Sequence, residues 1–418
     1  MLRGSIRQGY MWRSVLDKRC TLLIKNVNFV IIIRSTWQLT ELKLANMKNL
    51  TCHRGLLFSL ILSGLFLACS DDTDEAPTPI DPSDNIIPEK FSVAVPSALT
   101  IGTNPNGRTN NDDLSGNSIY EALGLFIKLG EESAEVTEAI ILGIRSLDIT
   151  GATEGAYLSA DDERNKRFQT IEGATYEGTN YEFELLITDI EDEGNDDSGK
   201  AMQIFWNTNP VEGVAILKPY NIDRSEPTDS PEAIYKLEYQ SESDMGYDAH
   251  MIVSISGLTF DPEEDPYGVD NLKMFVGRTG ETVDVFGNSN HPQAQFFTDD
   301  TGFNWAFVAS GSDEKDLGVA EVGLPPSTLN STDRTEILET YSMRNVFSSQ
   351  ILEEFPLIGQ ELIDQYLNNT FPPGYFNDNG FVQGGESPGE EWDEFESRIT
   401  DLAPYNPSSI SGQEISFQ

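Results

Sequence analysis

Between about residue 168 and residue 323, the apolar positions recur with a period of two. Tyr181, Phe183, Leu185 and Ile187 take every second place in one run. Met202, Ile204 and Trp206 do so in the next, then Tyr235, Leu237 and Tyr239, then Met251, Val253 and Ile255. Leu272, Met274 and Val276 follow, and Phe303, Trp305 and Phe307 close the series. A period of two sends successive side chains to opposite faces of a strand, and polar partners leave one face in water, which suits antiparallel sheets. The joints are short and rich in turn formers: Thr208-Asn209-Pro210, Gly277-Arg278-Thr279-Gly280 and Gly311-Ser312-Asp313. About nine to eleven strands in succession predict a mainly β (α+β) body, an antiparallel meander forming a barrel or a sandwich. Periodicity alone leaves those two open.

Helical spacing flanks this region. Ile119, Leu123 and Phe126, then Val136, Ile140, Ile144 and Leu147, predict an N-terminal helical hairpin over 117–148, with Ser115, Asn117 and Ser133 as caps and Gly130 as the stop. C-terminal helices are expected over 333–369, where Asp333 and Glu336 offer a capping box and Pro356 interrupts the run. The β-rich domain so defined covers 89–370. Residues 371–418 are acidic and rich in Pro and Gly, and read as an irregular tail whose aromatics Phe371, Tyr375, Phe376 and Trp392 pack on the domain in places.

Charge divides the chain sharply. Ten of its 27 bases but only two of its 69 acids lie in residues 1–69, which leaves 17 bases and 67 acids, a net of −50, for 70–418. Such asymmetry marks a processed leader before a mature body. The body's field repels phosphate, so no nucleic-acid partner is expected.

The leader itself is ordered. Lys48 and Arg54 precede an apolar stretch from Leu56 to Ala68, which ends in Leu65-Phe66-Leu67-Ala68-Cys69 and meets Ser70-Asp71-Asp72. A stretch of thirteen residues is short for a membrane span and right for a signal-peptide core. Residues 47–69 resemble the lipobox signal of bacterial lipoproteins, which implies that Cys69 is acylated and becomes the mature N-terminus. Lipid chains then anchor the protein in the membrane, each buried methylene adding about 0.8 kcal/mol. Residues 70–88, acidic with four prolines, form a disordered tether. The acids directly after Cys69 are similar to the export signal of Gram-negative bacteria that display lipoproteins, which implies an outer-membrane protein at the cell surface or, failing that, on the periplasmic face. With a complete signal starting at Met47, residues 1–46 read as an over-extended start.

Candidate chemistry is sparse. Cys20 and Cys52 lie ahead of Cys69, so the mature chain has no free thiol and no disulfide. Gly385-Glu386-Ser387-Pro388-Gly389 matches G-x-S-x-G, but Pro388 lacks the N–H that an oxyanion hole needs at that place. His250 at a strand head and His291 in a turn have no triad context. Acidic runs at Asp189, Glu191, Asp192, Asp196 and Asp197, and at Asp261, Glu263 and Asp265, make calcium the best cofactor candidate, since hard cations want several oxygens from a flexible loop. Solvated hairpin loops are the plainer reading. Trp206 and Trp305 suit a core better than a sugar platform. The resulting expectation is a non-enzymatic envelope module that binds a ligand or an envelope protein. Its rivals are a glycan hydrolase with paired carboxylates and a structural subunit of an outer-membrane complex.

Overall fold

A computed structural model of the protein describes residues 95–100, 120, 123–124, 153–159, 162–225, 228, 230–259, 268–294 and 302–418. Thirteen strands form one antiparallel sheet, and each pairs with its neighbour in sequence from β1 to β13. They are β1 (Thr153–Leu158), β2 (Asn165–Tyr176), β3 (Thr179–Asp189), β4 (Lys200–Thr208), β5 (Val211–Leu217), β6 (Ile234–Ser241), β7 (Ala249–Ser256), β8 (Asn271–Thr279), β9 (Thr282–His291), β10 (Phe303–Ser312), β11 (Leu317–Gly323), β12 (Gly374–Asn377) and β13 (Gly380–Gly384). The meander expected from the alternation is present. β1 and β13 are not paired with each other, so the sheet is open and not a closed barrel.

Among the described residues the bounded α-helices are α1 (Ser97–Thr100), α2 (Pro219–Ile222), α3 (Met343–Glu354), α4 (Gln360–Tyr366), α5 (Asp393–Asp401) and α6 (Pro407–Ser411). Asp333 starts the helical region as expected, accepting from Thr335 N at 2.9 Å ahead of one π-helical turn, Thr335–Thr340. α3 stops at Glu354, two residues before Pro356. The expected hairpin at 117–148 lies outside the described residues except Tyr120, Leu123 and Gly124, which are helical. The segments 1–46, 47–69 and 70–88 lie outside them as well.

Register explains the core. Leu185, Ile204, Ala215, Leu237, Val253, Met274, Gly287, Phe307 and Val322 pair in turn and form one cross-strand row from β3 to β11. All its apolar side chains are buried in one cluster. Gly287 leaves room for a neighbour: a Cβ there would sit 2.6 Å from Lys273 O and 3.0 Å from the Phe307 ring.

The opposite face would be the wet one in a two-layer reading, yet it is covered: Ile337 and Leu338 of the π-helical turn pack with Ala306, Val308 and Val319, and the C-terminal segment covers the rest. The chain from α5 onward runs across the sheet as a strap. α5 lies on β10 and β11, α6 on β8 and β9. Gln413 Nε2 then donates to Ile255 O at 2.9 Å and Leu272 O at 3.0 Å, on β7 and β8. Ile415 and Phe417 pack beside Ala174, Tyr176, Phe205, Val214 and Ile216 of β2, β4 and β5. Gln418 N donates to Gln203 Oε1 at 2.9 Å. Residues 371–418 thus differ from the irregular tail expected: they hold β12, β13 and the strap with its two helices, α5 and α6. Their Pro and Gly content marks turns between very short elements, which periodicity cannot see.

Buried polar groups fasten the strap. Asn271, Asn288, Asn290 and Asn304 all point to this face and are buried. Asn288 Oδ1 accepts from Tyr405 N at 2.8 Å, Asn290 Oδ1 from Ser411 Oγ at 3.1 Å and Ser327 Oγ at 2.7 Å, and Asn271 Nδ2 donates to Ile410 O at 3.1 Å. Each pairing spares a polar group the cost of dry burial. Asp284, also buried, accepts two bonds from Arg398 of α5, at 2.9 and 2.6 Å, and one from Ser310 at 2.7 Å.

Candidate functional site

The acidic run after β3 is where calcium was a candidate, and there the chain supplies its own cations. Asp189 ends β3 with its side chain fully buried. Its Oδ2 accepts from Arg164 Nε at 2.6 Å and Lys166 Nζ at 3.0 Å, and its Oδ1 from Arg164 Nη2 at 3.2 Å and Glu191 N at 3.1 Å. Asp192 pairs with Arg164 and, at 2.8 Å, with Arg224. Glu191 stands 3.4 Å from Arg164. Asp197 accepts from Lys218 Nζ and Asn221 Nδ2, both at 2.8 Å, and from Gly199 N at 2.9 Å. Asp196 is exposed in the same turn.

Lys166 is the hinge of this cluster. It is 2% exposed, and its ammonium donates to Asp162 at 2.9 Å, Asp189 at 3.0 Å and Asn221 O at 2.9 Å. The three donors of an ammonium are all used. The cluster therefore ties the start of β2, the end of β3, the β3–β4 turn and the segment after β5. Burial alone would push the Asp189 carboxyl up; the bonds from Arg164 and Lys166 outweigh it and hold the pKa below the ordinary range. The same contest, burial against donors, ends low for Asp162 through Lys166 and for Asp197 through Lys218. Such carboxylates are already fully solvated by protein donors, and the arrangement acts as an ionic clamp on one end of the sheet.

Among the described residues no group of three or more His, Cys, Asp or Glu is arranged to hold a metal ion. Asp261, Glu263 and Asp265 lie outside the described residues, as does Cys69. The clamp's bases were not singled out in the sequence, though a signal existed. Only 17 bases serve residues 70–418, and Arg164, Lys166 and Arg167 fall within four positions next to acids.

A serine–histidine pair does occur. Ser289 Oγ lies 2.8 Å from His291 Nε2, both on β9. Both residues are completely buried, and the imidazole stacks on Phe303 with ring centres 4.7 Å apart. A nucleophile with no path to solvent meets no substrate, so the pair works as core polarity. His250 stacks on Phe275 and contacts Ser243 Oγ at 2.6 Å, and burial lowers its pKa below the ordinary value. Ser387 donates to Gly389 O at 3.1 Å inside the five-residue loop between β13 and the 3-10 turn Glu390–Trp392 that leads into α5, and Pro388 still lacks the N–H that an elbow requires after its nucleophile. Trp206 and Trp305 are 1% exposed and belong to the core, as expected.

The exposed face of the molecule is uneven. Large apolar side chains gather on α3, α4 and the turn between them, where Leu352, Phe355, Leu357, Leu362 and Tyr366 are exposed. No helix among the described residues is long and apolar enough to cross a membrane. Comparison with protein families, with curated proteins and with solved structures finds no match.

Proposed function

We propose that the protein is a bacterial outer-membrane lipoprotein, anchored through Cys69 and displayed at the cell surface, whose β-rich body binds a partner or ligand without catalysis. The carrying observation is the order of the leader: Lys48 and Arg54, an apolar core from Leu56 to Ala68, then Cys69 and the acidic, Pro-rich stretch 70–88. Non-catalytic action is supported by how the chain uses its reactive groups. The imidazoles of His250 and His291 are packed against aromatic rings, and the carboxylates of the clamp are committed to Arg164, Lys166, Lys218 and Arg224.

Two measurements test the anchor. Cys69→Ser expressed in the producing cell should lose labelling by a fatty-acid probe and leave the membrane fraction; a variant that keeps both removes the lipidation reading. Met47→Leu should abolish the product, because translation is expected to begin there, and unchanged protein levels would restore 1–46 to the natural chain.

A further inference from the structure

Exposed apolar side chains scattered singly need no explanation, but a cluster does. Among the described residues ten large apolar side chains are exposed, and five of the ten fall between 352 and 366. Leu357 is 99% exposed at the turn joining α3 to α4. Leu352 lies one helical turn before Phe355, and Leu362 one turn before Tyr366, so each pair shares a face.

This element is held firmly. Phe355 N donates to Ile351 O at 2.8 Å, Ile358 N to Phe355 O at 3.0 Å and Leu362 N to Gly359 O at 3.0 Å. Ile351 and Ile358 pack on the core, and Ile363 is fully buried in it. The buried Arg344 donates to Leu367 O at 2.6 Å and Thr370 Oγ1 at 2.9 Å, and pairs with Asp364 at 2.5 Å. The apolar tip is thus presented on a braced support, which lowers the entropy lost on docking.

Charge narrows the occupant. Residues 352–366 contain Glu353, Glu354, Glu361 and Asp364 and no base. A second copy would press the same carboxylates together. Surfaces that lie in a bilayer carry Lys and Arg beside their apolar residues, the reverse of this collar. A protein pocket with an apolar floor and a basic rim matches both parts.

We propose that the α3–α4 tip, led by Phe355 and Leu357, docks into an apolar pocket rimmed by Lys and Arg on another envelope protein. This rests on the reading of the chain as an anchored, partner-binding module and names its binding face.

The test places the photo-crosslinker p-benzoylphenylalanine at position 357 of the full chain in the producing cell, with position 245 as an exposed control. One protein adduct should form at 357 and none at 245. Glu353→Lys with Glu354→Lys should cut the adduct yield about tenfold, since two rim charges turn from attractive to repulsive. Unchanged thermal melting of the reversed variant shows that the fold is kept. An adduct to lipid, to a second copy or to residues 89–150 of the same chain overturns the proposal, as does no adduct or a yield indifferent to charge reversal. Membrane fractionation of the same cells reads the anchor separately: protein lost from the membrane counts against Cys69 lipidation, while the adduct alone judges the docking face.

Discussion

At the scale of the residue, Lys166 shows how an acidic chain deploys scarce cations. Its ammonium meets two carboxylates and a carbonyl in a site nearly closed to solvent. Lys166→Met leaves Asp162 with backbone donors alone while Asp189 keeps Arg164, so it should cost about 1.5–3 kcal/mol in urea unfolding, the worth of a hydrogen bond to a charged group. Replacing Arg167, whose ion pairs with Glu154 and Glu193 are partly exposed, should cost less than about 1 kcal/mol. The clamp also sets a pH response. Asp162, Asp189 and Asp197 have folded pKa values below 3.8, so their stabilisation is fully present above that pH and is lost as pH falls through the lower folded values. Unfolding free energy measured from pH 6 downward should hold until about pH 4 and then fall. Lys166→Met should flatten that acid limb, and an unchanged limb would remove the clamp as its source. The acids of this site were legible in the sequence as a run. Their pairing was not, because Arg164 and Asp189 meet only through the β2–β3 register, and Lys218 and Arg224 only after β5 returns.

At the scale of the element, legibility followed the contrast between the two faces. β3, β4, β6, β7, β8 and β10 are legible through one apolar face at every second position, although Leu186, Phe205, Ile252, Phe275 and Val308 are apolar on the other face too. β9 ends in Asn288-Ser289-Asn290-His291, four polar residues that look like a turn. They are buried strand instead, because the strap's Tyr405 N and Ser411 Oγ, together with Ser327 Oγ, satisfy the asparagines. A face covered by hydrogen-bonding backbone can be polar and dry together, and a two-valued apolar/polar pattern has no symbol for that. β12 and β13 span four and five residues and fell below the length at which alternation can be counted. The strap's strongest link to the sheet is Arg398 to Asp284. Arg398→Ala leaves Asp284 with Ser310 and Tyr247 as its remaining side-chain partners and should cost about 2–4 kcal/mol in chemical denaturation. Asp284→Asn combined with Arg398→Met should recover part of that loss, because no uncompensated charge stays behind. Equal loss in the single and double variants would mean that α5 is held by its apolar face alone.

At the scale of the whole molecule, a net of −50 over residues 70–418 opposes compaction unless ions screen it. The melting temperature should therefore rise with sodium chloride at low ionic strength, and a fall would sink the repulsion argument. Calcium chloride at matched ionic strength should add nothing through 189–197, where Arg164, Lys166, Arg224 and Lys218 already occupy the carboxylates. A calcium increment that vanishes with Asp192→Asn and Asp197→Asn would show that the ion displaces those bases. The topology has a further consequence, in time. From β1 to β11 each strand pairs with the one made just before it, so this part of the sheet grows by contacts that close quickly, whereas β12 joins β11 only after residues 324–373 are made. The strap is different: it crosses strands synthesised long before it, from β11 back to β2. While the chain is still being made, Phe205 lacks its cover of Ile415 and Phe417, and Phe286 its cover of Tyr405, until residues 393–418 arrive. A chain cut short anywhere before α5 leaves part of that sheet face open and sticky, so the strap, made after every strand it covers, certifies that those strands are in place.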